Sequence, residues 1–262
     1  MSTDHEPGVD VTVENGTLRV TINRPDRMNA VKAETLDAVA DAFDKYTGDE
    51  TIRVAIVGGA GGRAFCSGAD IVGRDLSGPP STDTLDAANR VATTVRDFPR
   101  PVIAAVNGAA AGVGVSLALA CDLTVASESS YFLLAFTRIG LMPDGGATAL
   151  VAASVGRARA MRMALLAERL PAAEALAAGL IADVYADDDF DARVDELAAR
   201  LAGGPVDAYA ATKHAINATT LTELDGALGR EFDGQMQLLA GPDFREGVRA
   251  FEQKRKADFR NR

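Results

Sequence analysis

Pro101-Val-Ile-Ala-Ala-Val-Asn-Gly-Ala-Ala-Ala-Gly-Val-Gly-Val-Ser-Leu-Ala-Leu-Ala-Cys-Asp122 passes from an apolar run into a helix-forming run through a junction almost without side-chain bulk. Val102 to Val106 is short, apolar and closed by Asn107-Gly108, which predicts a strand buried on both faces. The piece Ala109 to Gly114 holds three alanines and two glycines and lets another group approach the backbone closely. A helix over Val115 to Cys121 follows. Its first turn has free N–H groups, so the junction is suited to an anion or a developing oxyanion. The stretch therefore predicts a site that binds a carbonyl compound and stabilises negative charge on its oxygen.

To either side, Val11 to Ile22 alternates apolar and polar residues around Asn15-Gly16, a hairpin signal. Residues 1–10 read as a loose polar tail. Helices are expected over Ala33–Tyr46 and Leu85–Phe98, with a strand over Thr51–Val57 between them. The Pro-, Gly- and Ser-rich segment that ends near Thr84 reads as a mobile loop. Beyond the central helix come a strand at Leu123–Ala126, helices over Ala147–Val155 and Ala158–Ala167, a short helix over Pro171–Ala178 and a strand at Leu180–Tyr185. Helices at about 190–202, 205–217, 220–239 and 242–256 complete the chain. Strands alternating with helices imply a largely parallel α/β core with a helical C-terminal part, and no repeat is visible in the sequence.

The chain has 262 residues, 47 % of them hydrophobic and 24 % charged, enough for one large domain with an ample core. A net charge of −10 and a pI near 4.8 argue against nucleic acid as a partner. No apolar run is long enough to span a membrane and no signal peptide is visible, so a cytoplasmic location is expected. Cys66 and Cys121 read as reduced, buried thiols. Two histidines, His5 and His214, do not make a metal site, and no metal is expected.

The segments Asn23-Arg24-Pro25…Asn29-Ala30, Phe65-Cys-Ser-Gly-Ala-Asp70, Pro101–Gly112, Ala120-Cys-Asp122, Ile139-Gly-Leu-Met-Pro-Asp-Gly-Gly146, Ala173-Glu-Ala175…Gly179-Leu-Ile181 and Gly247–Arg255 occur in an order and spacing that resembles the enoyl-CoA hydratase/isomerase (crotonase) family over essentially the whole length. The resemblance implies an α/β spiral of ββα units in residues 1–200. It also implies a helical region over 201–262 for oligomerisation and pocket closure, and a homotrimer or hexamer. The implied substrate is an acyl-CoA thioester, with no cofactor besides the coenzyme A that the substrate carries. The implied oxyanion hole falls on the backbone N–H groups of Ala69 and Val113, and coenzyme A contacts fall on Arg27, Ala69, Asp70, Ile71 and Lys254. Arg24 and the basic run Lys254–Lys256 are further candidates for its phosphates, and Phe65, Leu133, Phe136 and Leu141 for an acyl pocket.

One departure matters. The two glutamates with which hydratases of this family handle water correspond here to Ser116 and Phe136, and neither can do acid/base work on water. Asp144, in Met142-Pro-Asp-Gly-Gly146, stands where isomerases of the family look to carry their acid, and a single carboxylate suits moving a proton from the α to the γ carbon. The same residue is also well placed simply to cap the helix that follows. The sequence offers four other readings. Ser116…Asp144…His214 follows hydrolase order, but Ser116 lies beyond the strand-to-helix turn that a nucleophile elbow needs. Gly112-Val-Gly114 lacks the third glycine of a dinucleotide fingerprint. The dehalogenase branch relies on a tryptophan, and the chain has none. A protein that binds acyl-CoA without turnover remains open.

Overall fold

The structure is a computed structural model; it describes the backbone of residues 3–6 and the complete residues 8–73 and 78–260. Part of the loop expected before Thr84, residues 74–77, lies outside the described residues.

Three ββα units in succession build the centre. The first is β4 (Val54–Gly59), β5 (Ala64–Cys66) and α2 (Asp83–Asp97). The second is β6 (Val102–Val106), β7 (Ala109–Ala111) and α3 (Val113–Ala120). The third is β8 (Leu123–Ser127), β9 (Tyr131–Leu133) and α4 (Ala147–Leu166), with a 3-10 turn over Ala135–Ile139 before the helix. In each unit the first strand joins a seven-stranded sheet and the second joins a smaller four-stranded one. The repeat lies in backbone path and not in side-chain pattern, which is why the sequence hides it.

Around these units, β1 (Thr3–Glu6), β2 (Val9–Glu14) and β3 (Thr17–Ile22) lead through α1 (Ala33–Tyr46), and β11 (Asp183–Tyr185) closes the far edge of the large sheet. Its order is β1-β2-β3-β4-β6-β8-β11, antiparallel through β3 and parallel from β3 onward. The small sheet, with β10 (Leu170–Pro171) at one edge, runs β10-β9-β7-β5. Asn15 and Gly16, both at positive φ (51° and 76°), make the tight turn between β2 and β3. Residues 3–6 are not a loose tail: they pair with Val9–Thr12.

All five residues of β6 are buried because the strand faces two cores. Val102, Ala104 and Val106 join the main core, while Ile103 and Ala105 join a second one with Val54, Ile56, Val125 and the inner face of α6 (Phe190–Ala202). The expected break between two helices near residue 156 is a kink within α4, where Gly156 adopts φ 73°, ψ 164°. α5 (Ala172–Ala177), α7 (Val206–Thr220), α8 (Leu224–Leu239) and α9 (Pro242–Glu252) complete the fold, α9 ending four residues before the expected position. Cys66 and Cys121 are free and buried, and burial pushes the Cys66 thiol up to about 12. Among the described residues no helix is long and apolar enough to cross a membrane.

Candidate active site

A cavity of about 500 Å³ opens where the small sheet, α2, the turn before α4 and α8 meet. One wall is backbone. Gly112 leaves β7 with its N–H on Leu133 O (2.9 Å) and turns at φ 55°, ψ −128°, a conformation that needs glycine. Val113 is then the first helical residue of α3, two residues earlier than expected, and its N–H has no acceptor within the helix. Ala69 forms a parallel bridge with Val31, in which Val31 N–H donates to Gly68 O (2.9 Å) and Asp70 N–H to Val31 O (2.8 Å). The N–H of Ala69 therefore points the other way, toward the cavity that Ala69 lines. The two segments pass close to each other: a Cβ built on Gly68 would lie 3.2 Å from the Ala111 carbonyl oxygen. Both amides belong to the cavity wall, and neither meets a protein acceptor among the described residues.

The opposite wall is made of side chains. Asp144 sits in the turn before α4, partly open to the cavity and otherwise enclosed by protein. Its Oδ2 accepts a hydrogen bond from Gln235 Nε2 (2.7 Å), and its backbone carbonyl accepts one from Ser116 Oγ (2.7 Å). Burial pushes the Asp144 carboxyl up to about 7; the Gln235 donor opposes this and the Glu231 charge adds to it. A carboxyl titrating there is matched to general acid/base work near neutral pH.

Asp144 does not cap α4. The N–H groups of Gly146 and Thr148 donate to Glu231 (2.7 and 2.8 Å), as does the Thr148 hydroxyl, so a carboxylate from α8 caps the helix and leaves Asp144 facing the cavity. Sequence reading missed Glu231 and Gln235. Their only signal is a pair of polar residues four apart on a face otherwise formed by Leu224, Ala227, Leu228 and Leu239.

Phe136 lines the cavity near Gly112, together with Leu133 and Leu141. Phe65 does not: it is fully buried beneath the floor, on the core side of β5. Ser116 is buried and absent from the cavity surface, its hydroxyl committed to the Asp144 turn. His214 lines a separate groove beside α2, so the serine–aspartate–histidine order assembles no triad.

Arg27, Asp70 and Ile71 line the cavity, but Arg24 is occupied, donating to Asp70 Oδ2 (3.0 Å) and to the Ala30 carbonyl. The basic run past α9 lies outside the cavity: Lys254 is exposed, and Arg255 pairs with Glu246. Two arginines not singled out from the sequence, Arg138 and Arg169, do line it; the Arg169 guanidinium stacks 4.4 Å over the Tyr131 ring.

The family model for enoyl-CoA hydratase/isomerase matches residues 12–262. The chain belongs to the enoyl-CoA hydratase/isomerase family. A protein named "probable enoyl-CoA hydratase" from Rhodobacter capsulatus is 42 % identical over 95 % of this chain and 96 % of its own. The 1,2-epoxyphenylacetyl-CoA isomerase of Escherichia coli is 38 % identical over 94 % and 96 %. A crystal structure of an enoyl-CoA hydratase from Mycobacterium avium subsp. paratuberculosis superposes with a TM-score of 0.92 at 54 % identity, covering 98 % of this chain and all of that one. The three ββα units are thus those of the crotonase fold, and the names of these three relatives divide between hydratase and isomerase.

Proposed function

We propose that the protein is an acyl-CoA double-bond isomerase in which Asp144 is the single acid/base. The thioester oxygen is held by the N–H groups of Ala69 and Val113. The Asp144 carboxylate takes a proton from the α carbon, and the electron pair moves onto the thioester oxygen, where the two amides stabilise it. The acid then returns the proton at the γ carbon, so a β,γ double bond becomes α,β with no atom gained or lost. Coenzyme A enters as part of the substrate, its phosphates meeting Arg27 at the cavity wall, and Phe136, Leu133 and Leu141 receive the acyl chain. The region after residue 201 is assigned to oligomerisation, as a trimer or a pair of trimers.

The observation that carries this reading is that, among the described residues, the cavity bearing the two acceptor-free amides also bears one carboxylate outside an ion pair, Asp144, the other being the Asp70 paired with Arg24. Hydration, the activity in the name of the R. capsulatus relative, calls for a positioned water. The two positions where hydratases of the family hold it are Ser116, committed elsewhere, and Phe136.

The test is exchange of the α proton of a saturated acyl-CoA in D₂O, beside isomerisation of a 3-enoyl-CoA. Both are expected in the wild type and to fall at least 10²-fold in Asp144→Asn. No exchange above the buffer rate in the wild type, or near-wild-type rates in the folded variant, overturns the reading.

A further inference from the structure

α8 buries two polar side chains, Glu231 and Gln235, each 1 % exposed, on a face that is otherwise apolar. Burying an amide and a carboxyl is costly unless every donor and acceptor is met. Here both side chains are met by one segment, residues 142–148. Gln235 Oε1 accepts from Met142 N–H (3.2 Å), and Gln235 Nε2 donates to Met142 O (2.9 Å) and to Asp144 Oδ2 (2.7 Å). Because Met142 offers one donor and one acceptor, the amide is fixed in a single flip, and its remaining N–H is aimed at Asp144. Glu231, one turn earlier, holds the far side of the same segment through Gly146 and Thr148. A fixed donor on Oδ2 favours charge there and leaves Oδ1 as the oxygen that carries a proton.

We propose that Gln235 is a positioning residue: it clamps the Asp144 carboxyl by Oδ2, so that proton transfer runs through Oδ1 alone. The proposal rests on the reading of Asp144 as the acid/base. Among the described residues around the turn, Ser116 of α3 and Ala88 of α2 are not ionisable, and Glu231 of α8 is the charged group whose field reaches Asp144. Gln235 and Glu231 thus act on the carboxyl in opposite directions, a pattern that loss of packing does not imitate.

The experiment follows the carboxyl ¹³C resonance of Asp144 with pH in aspartate-labelled protein, assigned by its loss in Asp144→Asn. Gln235→Met is expected to move the midpoint up by about one pH unit, and Glu231→Gln to move it down. In 3-enoyl-CoA isomerisation, Gln235→Met is expected to lower kcat about tenfold with KM within threefold of wild type. An unmoved midpoint in Gln235→Met, or a moved one with wild-type kcat at every pH, overturns the proposal. Should that variant not fold, Gln235→Glu keeps an acceptor for the Met142 N–H and is expected to raise the midpoint, and an unmoved one again overturns the proposal. The titration needs no turnover. If the wild type exchanges no α proton while the midpoints move in opposite directions, the isomerase reading fails and the clamp stands.

Discussion

The two walls of the cavity are built from different materials. The amide wall, at Ala69 and Val113, is held by main-chain pairing and by the close pass of Gly68, where a Cβ would stand 3.2 Å from the Ala111 carbonyl oxygen. The acid wall, at Asp144, is held by side chains that arrive from α3 and α8. A wall of main chain is indifferent to which side chains it carries but intolerant of a new Cβ at its contacts. A wall of side chains has the reverse sensitivity, since each of its bonds can be removed singly.

The largest expected effect strikes the first wall. A Cβ at Gly114 would stand 2.3 Å from the Cys66 carbonyl oxygen, and a backbone atom cannot step aside cheaply. Gly114→Ala is expected to cost several kcal/mol, read as a large fall in Tm or loss of soluble protein. A wild-type Tm would show that the two segments are not locked together.

The next is a gain, and it belongs to the second wall. Asp144 titrates near 7 in the fold against 3.8 as its ordinary value, so its contribution to stability is whole below about pH 4 and is lost as pH rises through 7. Asp144→Asn removes that loss and keeps an acceptor for Gln235. Its stability is expected to match wild type at pH 4 and to exceed it at pH 8 by about 1–3 kcal/mol, read as a Tm higher by on the order of 5 °C. Equal melting at both pH values would mean that the carboxyl is not held in a charge-averse place.

The smallest effect returns to the amides. Val113→Ala keeps the N–H that faces the cavity and trims a side chain on its wall, so kcat is expected within about threefold of wild type. A loss of a hundredfold would assign the work to the side chain instead of the main chain.

Much of this was legible in the sequence, and the reasons differ by element. The helix over Ala33–Tyr46 and the strand over Val102–Val106 have the observed bounds because their apolar periodicity is local. The small sheet was not legible. Ala109–Ala111 is a poor strand former, and it is extended because β5 and β9 pair with it on both sides. Arg24 reads as free charge until Asp70, forty-six residues on, is folded against it. Phe65 reads as pocket lining because hydrophobicity does not say which side of a strand meets the cavity and which the core.

By itself the sequence determined the family, the alternation of helices with the strands of the large sheet, the small-residue junction and the presence of an acid at 144 where the hydratase glutamates are missing. These follow from residue type and near-neighbour spacing, which the chain carries in one dimension. Only the tertiary structure decided that Glu231 caps α4, that Gln235 holds the Asp144 carboxyl, and that this carboxyl sits where its charge is resisted. Hydrogen-bond partners some ninety residues apart, and the dielectric around a buried group, exist only once the helices have packed.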